Sequence, residues 1–437
     1  REGVQHDSET KFEEEYAEQI KQLVKGLEYS DKVAQDFVNM ANGWKDERGQ
    51  LVLVVWKKKL AQTKDEHKQG KISKDQLAEV EQSIAKELSQ RIKKEIGVND
   101  FSDLAEVIKN GRANCGGYSQ LIYILSDSIG LSIQAINVVE LKSGLLLGRR
   151  NHVVCLVRLA NGRIMMVDLV PAGFVSKPFI IEKAFTKAGN YWELKDKANP
   201  LGIHKRIQML NRNGLIAVIY NDRGSANSDI GQLSQAISNY TRAIELNPTY
   251  AEVYSNRGNT YCDLGQYIQA ISDLNKAIEL NPRYAEAYCN RGTAYYGLGQ
   301  ANKAISDLTK AIELKTIAVA YYNRGAIYYN LGQYHQAIPD LTKAIELGPE
   351  LIMAYYIRGG AYHMLRQYPK AISDYTKAIE LNPKFAQAYY SRGCAYALLG
   401  KLEESKKDLL KAVKLNPALK PFVKEESDYF KLNLKLE

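Results

Sequence analysis

Tyr254-Ser-Asn-Arg-Gly258 returns as Tyr288-Cys-Asn-Arg-Gly292 and again as Tyr321-Tyr-Asn-Arg-Gly325. Three more copies of Tyr-x-x-Arg-Gly stand at 220–224, 355–359 and 389–393, so the arginines (223, 257, 291, 324, 358, 392) are 34, 34, 33, 34 and 34 residues apart. A fixed period of this length marks a stacked-repeat architecture. Each unit continues with a small residue (Ala236, Ala270, Ala304, Ala337, Ala371, then Ser405), and proline usually closes it (Pro248, Pro282, Pro349, Pro383, Pro417). Small residues let two helices touch closely, Tyr and Leu fill between them, and proline starts a new helix where no N–H is required. The third unit lacks its proline and is one residue short near Lys315-Thr316, which predicts an irregular turn there.

The period and these positions resemble the tetratricopeptide repeat, a helix–turn–helix unit. The resemblance implies an all-α superhelix of six units over residues 202–417 with a leading helix, and a capping helix over 418–437. It also implies that the first helix of each unit lines a groove able to take an extended peptide. The groove position before each Arg-Gly holds Asp222, Asn256, Asn290, Asn323, Ile357 and Ser391. The run Asn256, Asn290, Asn323 resembles the asparagine ladder of some peptide-binding members, because a carboxamide both donates to and accepts from a main chain. The same residues would equally serve as polar groups solvating an exposed helix face. Tyr296, Tyr322, Tyr329, Tyr356 and Tyr390 would add the aromatic contact area that binding surfaces favour. The repeated arginine occurs whatever the groove residue is, and so reads as a structural span between helices.

Over its 437 residues the chain has the composition of a globular protein, 45% apolar and 25% charged. This length predicts two or more domains. The net charge of +9 is spread as alternating Lys and Glu, with no basic stripe interleaved with aromatics, so nucleic acid is not an expected partner. The five cysteines (115, 155, 262, 289, 394) form no CxxC pair, which argues against a zinc site or a disulfide scaffold. No metal or organic cofactor is expected. No apolar run approaches the roughly 20 residues of a membrane span. No signal peptide is read, so a cytoplasmic location is expected; because the chain begins at Arg1 rather than methionine, an exported form is left open.

Residues 1–110 read as mostly helical. Phe12, Tyr16, Ile20, Leu23 and Leu27 share one face; Ser30 caps a second helix that Gly43 ends; Leu51 onwards leans helical; and Ser73-Lys-Asp-Gln76 is a capping box ahead of a long helix to Ile96, closed by Gly97. Ser102 caps a shorter helix ending near Gly111. Gly111-Arg-Ala-Asn-Cys-Gly-Gly-Tyr-Ser119 then turns a loop into a helix with Cys115 at its start, where unpaired N–H groups and the helix dipole favour thiolate. A buried structural cysteine is the alternative reading. Leu131–Leu141, Asn151–Ala160 and Arg163–Val170 are strand-like, the last two joined by a turn at Asn161-Gly162. Residues 172–200 are poorly patterned.

Of six histidines only His152 stands at a strand start downstream of that helix, and Asp168 ends the next strand among apolar residues. Asn114-Cys-Gly-Gly-Tyr-Ser119, Asn151-His-Val153 and Val167-Asp-Leu169 together resemble the transglutaminase-like branch of the papain-type cysteine enzymes, over about residues 100–175. The resemblance implies an α+β domain over residues 1–201 with its catalytic core at 111–175. It further implies Cys115 as nucleophile, His152 as base and then acid, and Asp168 as the group that orients the histidine. His152-Val153-Val154 and Asp168-Leu169 depart from the His-Ala-Trp and Asp-Pro signatures of many members. A geometric condition follows from strand alternation. A two-residue turn would pair Ala160 with Arg163 and put His152 and Asp168 on opposite faces. A three-residue loop 160–162 with Gly162 left-handed pairs Leu159 with Arg163 and puts Asp168 opposite Val154, diagonal to His152. The expected function is a cysteine peptidase, amidase or acyl transferase whose repeats recruit a protein or peptide. The alternative is a catalytically inactive fold in a protein-binding scaffold.

Overall fold

The computed structural model describes residues 2–98, 107, 112–113, 115–141, 152–168, 174–176, 180–188, 191–195, 204–432 and 434. The chain divides into two compact units, Arg1–Thr249 and Tyr250–Glu437.

The first unit opens with four helices: α1 (Glu2–Lys25), α2 (Asp31–Asn42), α3 (Val52–Lys68) and α4 (Lys74–Glu95). The capping residues read in the sequence make the expected bonds. The Ser30 hydroxyl accepts from Val33 N–H, and Ser73 and Gln76 form a reciprocal box. The last turn of α4 ends on extended Ile96, and Gly97 begins a short parallel ladder, β1 (Gly97–Val98) with β2 (Arg112–Ala113). The helix expected from Ser102 lies outside the described residues except at Val107. Helix α5 (Cys115–Ser128) follows and is held from several sides. Tyr16 Oη lies 3.0 Å from Ser128 Oγ, and Tyr29 Oη donates to Gln120 Oε1 at 2.7 Å.

Strands β3 (Ser132–Leu141), β4 (His152–Arg158), β5 (Ile164–Asp168) and β6 (Phe174–Val175) form one half of a seven-stranded sheet. A short helix, α6 (Ile181–Ala184), leads to β7 (Phe185–Ala188), β8 (Tyr191–Leu194) and β9 (His204–Met209), and the strand order is β6-β5-β4-β3-β9-β8-β7. Two expectations change here. The stretch 172–200 supplies three strands rather than an unpatterned tail, and His204 opens a further strand. Residues 204–209 pair with β3, so the sheet runs past residue 201, and a strand occupies the place of the expected leading helix.

The first repeat pair, α7 (Arg212–Asp229) and α8 (Leu233–Leu246), belongs to this unit. Tyr220 Oη donates to Glu28 Oε2 at 2.7 Å, Arg242 Nη2 to Glu28 Oε1 at 2.7 Å, and Arg212 Nε to Gly26 O at 2.9 Å. The Arg223 guanidinium sits 4.7 Å from the Tyr29 ring centroid.

The second unit holds five helix pairs: α9 (Ala251–Asp263) with α10 (Tyr267–Leu280), α11 (Ala285–Gly297) with α12 (Ala301–Leu314), α13 (Ala318–Asn330) with α14 (Tyr334–Leu347), α15 (Ile352–Met364) with α16 (Tyr368–Leu381), and α17 (Ala386–Leu398) with α18 (Leu402–Leu415). The first helices of successive pairs pack on one another and make the inner row. A 3-10 turn and α19 (Lys420–Tyr429) close the end, where Val423 and Leu432 pack on Cys394 and Leu409. Apart from Pro417, which opens the 3-10 turn, the prolines that close the repeats lie in turns ahead of the next helix. Pro282 lies inside a turn closed by Tyr284 N–H to Asn281 O at 3.0 Å, and the next helix begins at Ala285. Where the third unit lacks its proline, Lys315 is extended (φ −157°, ψ 138°) instead of entering such a turn, which is the irregularity the missing residue predicts.

The repeated arginine is structural. Arg257, Arg291, Arg324, Arg358 and Arg392 each make a two-pronged ion pair with an aspartate 16 residues on: Asp273, Asp307, Asp340, Asp374 and Asp408. The third nitrogen of four of them donates to the second helix of the preceding pair, at Asn275, Thr309, Thr342 and Thr376. One guanidinium thus ties three helices. At the matching place in the first repeat the sequence has Asn239.

Candidate functional site

The Asn161-Gly162 turn is the three-residue form. Leu159 N–H donates to Arg163 O at 2.8 Å, Gly162 N–H donates to Leu159 O at 3.0 Å, and Gly162 has φ +80°. The left-handed conformation is why glycine stands there. Helix α4 holds this turn in place. Glu81, 4% exposed, accepts from Ala160 N–H at 2.6 Å, and Asn161 Nδ2 donates to Asp75 Oδ1 at 2.9 Å. Glu81 was not singled out from the sequence; its signal is a carboxylate in the apolar spacing of α4.

Burial lifts the Glu81 carboxyl above its ordinary 4.5, with the Ala160 N–H pulling the other way. A raised acid contributes most to stability below its unfolded value and loses that contribution as pH rises through the folded one. The expected result is that wild type loses stability over this window above pH 4.5. Glu81→Gln, which keeps an acceptor for Ala160, flattens that part of the profile in urea titrations. An unchanged slope in the variant would remove Glu81 as its source.

From the turn, β4 and β5 pair as Arg158 with Ile164, Val157 with Met165, Leu156 with Met166 and Cys155 with Val167. One step further, Asp168 stands opposite Val154, so positions 152 and 168 share a face. They also share an end of the sheet with the start of α5. The helix runs back about 20 Å from Ser128 to Cys115, and β3 runs about 20 Å from Ser132 to Val138, the partner of His152. The faces differ, however. Cys155 Sγ lies 3.4 Å from Ser119 O, which puts α5 on the face of the odd-numbered β4 positions. Val154, Leu156, Ile164 and Met166 pack on the other face against Phe185 and Ile207, and positions 152 and 168 continue that set. Positions 115, 152 and 168 thus lie towards one end of the sheet, with α5 on the face opposite 152 and 168. The side chains of Cys115, His152 and Asp168 lie outside the described residues.

A cavity of about 250 Å³ in the same unit is lined by Tyr123, Gln134, Leu156, Arg158 and Arg212 among others. It lies at the Arg158 end of β4, away from His152. Among the described residues no group of three His, Cys, Asp or Glu could hold a metal ion, and no helix is long and apolar enough to cross a membrane.

On the inner row, Asn290 Nδ2 donates to Ser255 Oγ at 3.4 Å and Asn323 Nδ2 to Thr293 Oγ1 at 3.2 Å, each bond reaching the preceding first helix. Asn256 is only 8% exposed, whereas Asn290 and Asn323 are half-buried. Tyr296 Oη accepts from Asn330 Nδ2 at 2.6 Å. Tyr322 is half-buried, and burial raises its phenol. Tyr356 is built into packing: its ring centroid is 4.9 Å from Phe385 and 5.8 Å from Tyr375, with Oη 3.3 Å from Ser391 Oγ. Tyr329 packs 5.6 Å from Tyr334, and Tyr390 Oη donates to Glu426 of α19 at 3.5 Å. Sequence reading missed Val319, Met353 and Met364, apolar residues of the inner helices that stand 50%, 44% and 55% exposed. Their signal is an inner helix without charges other than the paired arginine.

Models of the TPR repeat match residues 224–262 and 258–299, and models of the tetratricopeptide repeat match 285–315, 318–351, 352–385 and 386–419. The crystal structure of YrrB, described as a TPR protein with an unusual peptide-binding site, is similar at 27% identity and a TM-score of 0.38, over 43% of this chain and 97% of that one. The crystal structure of MamA protein is similar at 30% identity and a TM-score of 0.35, over 43% of this chain and 97% of that one. The Cut9–Hcn1 assembly of the APC/C is similar at 18% identity and a TM-score of 0.44, over 50% of this chain and 43% of that one. No curated protein sequence is similar enough to this chain to match.

Proposed function

We propose that this chain, whose residues 224–419 form a tetratricopeptide-repeat array, recruits a partner protein by holding an extended segment of it along the inner helices. The carrying observation is the orientation of Asn290 and Asn323. Their amide nitrogens are bonded to Ser255 and Thr293 along the row, which leaves the side-chain carbonyl oxygens to accept from a peptide main chain. Two such bonds at about 0.5–1.5 kcal/mol each correspond to roughly tenfold or more in affinity. Asn290→Ala with Asn323→Ala should therefore weaken binding of a library-selected peptide by about that factor in a fluorescence titration. Unchanged affinity would remove the asparagines from the site.

A second reading adds a cysteine-dependent amide hydrolase or acyl transferase in the first unit. The register of the 160–162 turn favours it, because that register puts 168 diagonal to 152 at the level where α5 begins. In that chemistry Cys115 attacks the carbonyl carbon while His152 takes the thiol proton, and His152 then gives that proton to the amine as the C–N bond breaks, leaving the acyl group on sulfur. The acyl-enzyme then passes its acyl group to water or an amine, with the oxyanion held by backbone N–H at Cys115. Thiol reactivity decides between the two functions. Burial lifts Cys262, Cys289 and Cys394 to about 12, so these thiols stay slow at neutral pH. An activated Cys115 labels with iodoacetamide well below the free-thiol pKa of ~8.5 and loses that advantage in His152→Ala. An ordinary thiol profile in both proteins leaves recruitment as the whole function.

A further inference from the structure

Matching positions of the inner helices change character along the array. The second residue of each is Glu252, Glu286, Val319, Met353 and Gln387, and the last is Asp263, Gly297, Asn330, Met364 and Leu398. Carboxylates thus occupy three of these four places in the first two pairs of the second unit, while the following pairs hold no charge there: four of their six places are apolar (Val319, Met353, Met364 and Leu398) and two are amides (Asn330 and Gln387). Apart from the repeated arginine, which is tied to its aspartate, α13, α15 and α17 carry no Lys, Arg, Asp or Glu at all. The glutamates Glu252 and Glu286 already take part in interactions within the array, Glu286 Oε1 accepting from Lys315 Nζ at 2.8 Å. The apolar members stay open to solvent: Val319, Met353 and Met364 are about half exposed, as is Leu398 at 42%. Exposed thioethers on a binding face are adaptable contacts for apolar side chains, because methionine has three rotatable bonds and a polarisable sulfur.

From this switch we infer that the groove has two parts and fits one class of partner. That partner is an extended protein segment with Lys or Arg towards one end and Met, Leu or Phe side chains towards the other. The basic end lies over Glu252 and Glu286 and the apolar end over Val319, Met353 and Met364, with Asn290 and Asn323 holding the main chain between them. The inference rests on the groove reading proposed above and adds the chemistry of the occupant to it. Charge complementarity selects the basic end, and burial of exposed apolar surface selects the other. The dimensions agree. Neighbouring inner helices about 10 Å apart put the first and fourth roughly 30 Å apart, which about nine extended residues span.

The test is selection from a random peptide library of about twelve residues, long enough to cover that span, against the full chain. Recovered peptides are then titrated with wild type, Met353→Asp with Met364→Asp, Glu252→Lys, and the double asparagine variant. These two methionines are exposed, and thermal unfolding checks that the fold is kept. The expected result is enrichment of peptides that are basic at one end and apolar at the other, with affinity falling tenfold or more in the methionine variant and also in Glu252→Lys. Peptides of no common pattern that lose affinity only in the asparagine variant would overturn the two-part groove while leaving peptide recruitment standing. Failure to select any peptide would overturn recruitment and this inference together. Self-association of the chain that Met353→Asp abolishes would assign the apolar face to a second copy and also overturn it.

Discussion

Replacing Arg324 with alanine should cost about 3–5 kcal/mol, the range for removing one partner of a buried ion pair. Arg324 donates through Nε and Nη2 to both oxygens of Asp340 at 2.7 and 2.8 Å, and through Nη1 to Thr309 Oγ1 at 2.8 Å. Asp340 is 7% exposed, so the alanine variant leaves a carboxylate out of water without its partner. The loss should spread beyond one unit, because the Thr309 bond belongs to the preceding repeat and stability in such arrays sums over neighbouring interfaces. Arg324→Lys should recover only part of it, since an ammonium cannot make the planar fork. Arg324→Met with Asp340→Leu should come close to wild type, as apolar replacement of both partners often does. Urea unfolding of the full chain reads all three. A loss under about 1 kcal/mol in the alanine variant would show this pair to be worth no more than an exposed one.

Leu341→Ala should cost about 2–5 kcal/mol and Gly325→Ala about 1–3 kcal/mol, yet the two together should cost less than their sum. Leu341 is fully buried in the cluster of its repeat with Ala337 and Ala344. A Cβ added at Gly325 would stand 2.8 Å from Leu341 Cγ and 3.2 Å from Asp340 Cβ, too close for either to remain. The glycine is there because the first helix approaches the second at this point. Shortening the leucine vacates the space the new methyl needs. Strict additivity in the double variant would mean that helix separation, rather than this contact, sets the cost.

The repeats were legible because their chemistry is local and periodic. The role of each arginine as a span followed from its presence beside any groove residue, and the structure added its fixed aspartate. The missing residue near Lys315 was visible as a broken period. The β4–β5 turn was legible too, since only one loop length put 152 and 168 on a common face. The side of the sheet on which α5 lies was not, because that depends on packing between segments far apart in sequence: Cys155 meets Ser119 across 36 residues. Strands β7 to β9 escaped notice because they are short, lack alternation and are completed by His204–Met209 from beyond the expected boundary. What each groove tyrosine packs against was not legible for a similar reason: Tyr356 lies against Phe385 and Tyr375, while Tyr296, Val319, Met353 and Met364 stand more than a third exposed.

The central claim is that the inner row is where a partner binds, and photo-crosslinking addresses it directly. A selected peptide carrying a benzophenone side chain, irradiated with the full chain and mapped by mass spectrometry, should attach to the inner helices, above all within Ala285–Gly297, Ala318–Asn330 and Ile352–Met364. Attachment confined to the second helices of the repeats or to the α/β sheet would contradict it.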